Sequence, residues 1–171
     1  MATKVLLTGR PGCGKTTLIK RVANKLALPA GGFYTAEMRE ADTRVGFKLV
    51  TLDGEEAVLA HVNFKTREHL GKYGLNLSAL EAVGVKAIRE SVRSQQLVVI
   101  DEIGPMELRS PIFRDAVNEA LDSGAPILGT ITARSFPFTD AIKRRCDVTV
   151  IEVRPDNREQ LALELSGKFK T

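Results

Sequence analysis

No apolar stretch in this chain approaches the roughly 20 residues that a membrane span requires. The N-terminus leads into a strand-like run rather than through a basic and then apolar leader, so neither an embedded nor a secreted protein is expected. Cysteine is scarce: Cys13 and Cys146 are too few and too far apart for a zinc site or a disulfide framework. A reducing cytoplasm is the expected compartment. The two histidines, His61 and His69, have no metal-like spacing to other ligands. Repeats, linkers and low-complexity segments are missing, so residues 1–171 are read as one domain. A formal net charge of +4 gives little ground for expecting nucleic acid as a partner. The sequence leaves the oligomeric state open, with a monomer slightly favoured.

What is present is a soluble composition, 43% hydrophobic and 27% charged, in which aliphatic strand-like runs alternate with helical periods. That order predicts an α/β fold with a mostly parallel sheet. Strands are expected over 4–8, 97–100, 125–132 and 147–153, and helices over 15–27, 78–93, 111–122 and 137–145. Ser78, Ser135 and the Pro155-Asp156-Asn157 turn are the expected N-caps, the last for a helix with Leu161, Leu165 and Phe169 on one stripe. Residues 31–63 have a different texture. Gly32–Arg39, Val45–Leu52 and Ala57–Val62 each alternate, with an Asp53-Gly54 hairpin turn between the last two. Three antiparallel strands are expected there, extending the sheet.

Gly9–Thr17 read GRPGCGKTT directly after the apolar run Val5-Leu6-Leu7. The Gly-x4-Gly-Lys-Thr spacing fits a phosphate-binding P-loop. Glycines let the backbone wrap a polyphosphate, its N–H groups point inward, and the next helix offers its positive end to the anion. Lys15 is expected to reach the β- and γ-phosphates and Thr16 to hold Mg2+. Gly9, Arg10, Pro11, Gly12, Cys13, Gly14, Lys15, Thr16 and Thr17 are therefore candidate nucleotide-binding residues.

A second element lies in the run Leu97-Val98-Val99-Ile100-Asp101-Glu102. An acid at the end of such a strand sits beside the phosphates in P-loop enzymes, and Asp101 is the candidate partner of Thr16 at the metal. In an extended chain Glu102 points to the other side, where it is the candidate general base for an attacking water. Asp101-Glu102-Ile103-Gly104 also fits the Asp-x-x-Gly of GTP switches, in which the Gly104 N–H would touch the γ-phosphate. The Asn-Lys-x-Asp motif that reads guanine is absent, which disfavours a dedicated switch.

Four segments together resemble one family: Gly9–Leu18 (GRPGCGKTTL), Gly31–Leu52 (GGFYTAEMREADTRVGFKLVTL), Asp101–Leu108 (DEIGPMEL) and Asp147–Arg158 (DVTVIEVRPDNR). They are similar to the thermophile-type nucleoside-triphosphate phosphatases, relatives of the animal cancer-related nucleoside triphosphatase. The resemblance implies a P-loop NTPase three-layer core extended by antiparallel strands. It further implies Mg-dependent cleavage of the γ-phosphate from ATP, GTP, CTP and UTP with little base preference. It assigns the nucleotide site to the P-loop and to Leu97, Val98, Val99, Ile100, Asp101, Glu102, Ile103 and Gly104. Cys13 departs from the family's usual aliphatic residue. Thr132-Ala133 lacks the basic residue that relatives often carry, which leaves Arg134 as the nearest substitute.

Charge built up during triphosphate hydrolysis calls for an arginine, and the chain has fourteen. Arg39, on the strand face with Thr35 and Glu37, and Arg134, after a strand end that should open near the phosphates, are candidates for the transition state. Arg158 is a candidate at the base. Glu107 is a candidate orienter of the carboxylate pair. A nucleotide or nucleoside kinase, which needs an acceptor pocket, and a nucleotide-gated nucleic-acid-binding module remain the alternatives.

Overall fold

Strands without alternation need cover on both faces, and here they occupy the middle of one nine-stranded sheet. The computed structural model describes residues 2–170. In chain order the strands are β1 (Lys4–Thr8), β2 (Ala30–Glu40), β3 (Thr43–Thr51), β4 (Glu56–His61), β5 (His69–Leu70), β6 (Tyr73–Leu75), β7 (Leu97–Ile103), β8 (Ile127–Ile131) and β9 (Thr149–Glu152). They lie in the order β5-β6-β4-β3-β2-β7-β8-β1-β9. β2, β7, β8, β1 and β9 run parallel, and β3, β4, β6 and β5 continue the sheet antiparallel.

β2 is the seam between the two halves. Ala30–Phe33 pair parallel with Leu97–Ile100, while Phe33–Glu40 pair antiparallel with β3. Gly32 makes the close approach possible: at φ 100 its added Cβ would stand 1.9 Å from the Val99 carbonyl oxygen. The antiparallel extension reaches Leu75, beyond the expected residues 31–63, because β5 and β6 are too short to show alternation.

The helices form a layer on each face. α1 (Lys15–Leu26) and α6 (Arg158–Lys168) put Leu18, Ile19, Val22, Leu161 and Leu165 against Val5, Leu7, Val99 and Leu128. A helical run made of α2 (Leu77–Ala79), a π segment (Leu80–Val85) and α3 (Lys86–Arg93) covers the other face together with α4 (Pro111–Asp122). There Phe113, Val117 and Ile88 meet Leu6, Val98 and Ile100, and Phe113 touches Phe33 edge to face at 6.4 Å. Neighbouring residues of β1 and β7 thus serve opposite layers, each fully buried aliphatic contributing about 1.5–3 kcal/mol. α5 (Pro137–Lys143) follows β8. None of the helices is long and apolar enough to cross a membrane among the described residues.

Two of the expected caps, Ser78 and Ser135, are corrected, while Asn157 is the N-cap of α6 as expected. Asn76, not Ser78, caps α2, its Oδ1 accepting from the Ala79 N–H at 3.1 Å, while Ser78 lies inside the helix. Glu81, three residues after Ser78, accepts from the Ser110 hydroxyl at 2.6 Å. Phe136 occupies the N-cap of α5, and Ser135 donates to Asp140 instead. Asn157 stands at the start of α6, but its amide serves the preceding loop, accepting from the Arg154 N–H and donating to the Glu152 carbonyl. The basic end of α5 is partly structural. Arg145 is held by Asp122 and Asp147, each at 2.9 Å.

Candidate active site

The P-loop joins β1 to α1, with Gly12 and Gly14 in left-handed backbone at φ 78 and φ 92. α1 begins at Lys15, so its positive end faces the loop. The Lys15 ammonium donates to the Gly9 carbonyl at 2.7 Å and to that of Arg10 at 3.3 Å. Gly9, Pro11, Gly12, Lys15 and Thr16 line one end of a cleft of about 600 Å³. Cys13 is half-buried at the core edge, its sulfur against Gly9. Arg10, Cys13, Gly14 and Thr17 do not line the cleft.

Asp101 enters the cleft from the end of β7 and is 3% exposed. Thr16 Oγ1 donates to its Oδ2 at 2.6 Å, and Thr130 Oγ1 donates to its Oδ1 at 2.7 Å. Burial raises the Asp101 carboxyl above the ordinary carboxylate range, against the pull of these two hydroxyls and the Thr35 backbone.

Glu102 lines the same cleft rather than the opposite side. The register of β7 against β8 shifts between Ile100 and Ile103, and this irregularity breaks the alternation that would have separated the two side chains. The Asp101–Glu102 peptide, within the irregular stretch, is cis. Burial and then the Asp101 charge raise the Glu102 carboxyl, while Lys15 lowers it. Glu107, 3% exposed, lies beneath the pair. Its carboxyl is raised well above the ordinary range by burial and by Glu102, and the Glu107 and Gly104 backbone N–H groups face it. Gly104 is thereby turned from the expected γ-phosphate contact to Glu107, and it does not line the cleft. Leu97, Val98, Val99, Ile100 and Ile103 are buried in the two cores and touch the cleft only through the acids they carry.

The arginines divide unequally. Arg134 lines the cleft, its guanidinium 5.2 Å from the Phe136 ring centroid and its backbone N–H given to Thr132 Oγ1. Arg39 does not line it. A register shift between Met38 and Arg39 carries it to the rim, where Glu37 and the Asp42 carbonyl hold it. Arg44, paired opposite Arg39 in the hairpin, lines the cleft on the wall that β3 forms and was not identified from the sequence. Arg158 lies outside the cleft against Gly14, where an added Cβ would come within 2.7 Å of the guanidinium. Phe33 belongs to the core and Tyr34 is half-buried beneath Lys20, so neither lines the cleft.

The oxygen donors suit a hard cation. Thr16 gives its proton to Asp101 and keeps its lone pairs, next to a carboxylate oxygen 2.6 Å away. Among the described residues no three His, Cys, Asp or Glu side chains gather into a metal cage.

The NTPase family model matches residues 4–166. The chain belongs to the NTPase family. Within the NTPase family it is 46% identical to the nucleoside-triphosphatase THEP1 of Thermotoga maritima, over 98% of this chain and 95% of that protein. The crystal structure of THEP1 from Aquifex aeolicus superimposes with a TM-score of 0.91 at 31% identity, covering 99% of this chain and all of that one. The solution structure of a human cancer-related nucleoside triphosphatase gives a TM-score of 0.83 at 36% identity, over 97% and 96% of the two chains. These NTPase relatives bear out the resemblance carried by the four sequence segments, and with it the P-loop fold.

Proposed function

We propose that this chain hydrolyses nucleoside 5'-triphosphates to diphosphate and phosphate, with Mg2+ as cofactor and broad base specificity. The observation that carries the proposal is the convergence of the P-loop, the Thr16–Asp101 pair and Glu102 on one cleft. P-loop amides and Lys15 bind the β- and γ-phosphates. Glu102 takes a proton from water as its oxygen bonds the γ-phosphorus, and the bond to the β–γ bridging oxygen breaks. Arg134, on the cleft wall, offsets charge on the transferred group. Thr16 and Asp101 would hold Mg2+, which would supply positive charge to the phosphate oxygens.

Weak base selection would come from the loop of residues 154–158, which lies outside the cleft. The Asn157 amide is engaged within its own loop and not presented to a base. Arg158 offers a stacking or charged surface, which any base accepts. The two cysteines are free, in keeping with a cytoplasmic site of action.

Phosphate release from ATP, GTP, CTP and UTP, with and without a chelator, tests the proposal. All four should be cleaved with kcat/KM values within about tenfold of one another, and the chelator should abolish release. Chelator-insensitive release, or a preference of about a thousandfold for one base, would contradict it.

A further inference from the structure

The cleft of about 600 Å³ extends beyond its phosphate end at Gly9, Lys15 and Thr16. The loop of residues 154–158 does not line it; the space runs the other way, from the P-loop past Asp101 and Glu102 to a wall made by β2, β3, β4 and the β5–β6 turn.

That wall is organised around Arg44. Its Nε donates to Tyr73 Oη at 2.9 Å, its guanidinium lies 5.0 Å from the Phe47 ring centroid, and the Phe47 and Tyr73 rings meet edge to face at 5.4 Å. Leu59, fully buried, supplies an apolar floor. Glu37 accepts from Arg44 at 3.3 Å and is held below the ordinary carboxylate range by Arg39 and then Arg44. A stacked guanidinium beside aromatic rings suits a flat π system, and an ionised Glu37 suits a ring N–H or a sugar hydroxyl. Among the described residues lining this wall Glu37 and Arg44 are the charged side chains and they pair, so a neutral guest fits it better than an anion.

The geometry points to a second-substrate site for a nucleoside, whose hydroxyl competes with water for the γ-phosphoryl group. The inference rests on Glu102 as the base of the hydrolytic reaction. In the transfer the hydroxyl oxygen bonds the γ-phosphorus, the bond to the β–γ bridging oxygen breaks, and the hydroxyl proton passes to Glu102. The products are a nucleoside monophosphate and a nucleoside diphosphate, with no further reactant.

The full chain is incubated with Mg2+, γ-labelled ATP and adenosine, guanosine, cytidine or uridine in turn, and labelled phosphate and monophosphate are separated. At least one nucleoside should yield labelled monophosphate. Arg44→Ala and Tyr73→Phe should each lower transfer about tenfold or more, leaving phosphate release without nucleoside within about threefold of wild type. Intact phosphate release with no labelled monophosphate from any of the four overturns the inference. So does transfer that both variants leave unchanged, or loss of acceptor-free hydrolysis in Arg44→Ala. A wild-type chain that neither releases nor transfers phosphate overturns the hydrolase reading itself.

Discussion

Thr16 and Asp101, 85 residues apart in the chain, are joined by a 2.6 Å hydrogen bond from the threonine hydroxyl to the carboxylate. The contact ties the first turn of α1 to the end of β7, so the phosphate cradle and the acidic strand are positioned as one unit. Thr130, from β8, fixes the other carboxylate oxygen.

Thr130 is therefore a positioning residue whose loss should act through Asp101. Thr130→Val leaves Asp101 Oδ1 without that donor in a buried site, at a cost of about 1–3 kcal/mol. The Mg2+ concentration for half-maximal phosphate release should rise about 10–100-fold. Thr130→Ser should restore most of it. A Mg2+ titration unchanged in Thr130→Val would show that the bond does not orient the Asp101 carboxylate proposed to bind the metal.

Glu107 should cost the fold stability as pH rises. Its carboxyl is raised well above the ordinary 4.5 by burial and by Glu102. Below pH 4.5 both folded and unfolded chains hold the proton. As pH climbs towards the raised value only the unfolded chain releases it, so the unfolded state gains and stability falls. Glu107→Gln carries no such proton. Its melting temperature relative to wild type should increase from pH 4 to pH 8, and a difference that stays flat or shrinks would contradict the assignment.

Gly32 and Gly54 separate backbone strain from collision. Both have φ near 100, but an added Cβ at Gly54 meets nothing within 4 Å, whereas at Gly32 it meets the Val99 carbonyl oxygen at 1.9 Å. Gly54→Ala should cost about 1–2 kcal/mol. Gly32→Ala adds displacement of β2 from β7 and should cost about 4 kcal/mol or more, read from denaturant midpoints. Equal losses would mean that the parallel seam yields easily.

Much of this was legible in the sequence because it is local. The P-loop is a contiguous spacing, the aliphatic run before Asp101 declares a doubly covered strand, and the four characteristic segments carry the family. What escaped depends on register. The irregularity after Ile100 brings Glu102 into the cleft beside Asp101, and the one after Met38 carries Arg39 to the rim. A strictly alternating strand contains neither event. Tyr73 was missed because β6 has three residues, too few for any pattern. The caps differed for another reason: Asn76 and Ser78 are both good cap formers two positions apart, and only the chain's path from β6 decides between them.

The central claim, that Glu102 drives attack by water in a cleft whose other groups bind the nucleotide, is tested most directly by Glu102→Gln. Single-turnover phosphate release is measured alongside the Kd of a non-hydrolysable triphosphate with Mg2+. Release should slow by about 10²–10⁴-fold while Kd stays within about threefold of wild type. Release at the wild-type rate would contradict the account.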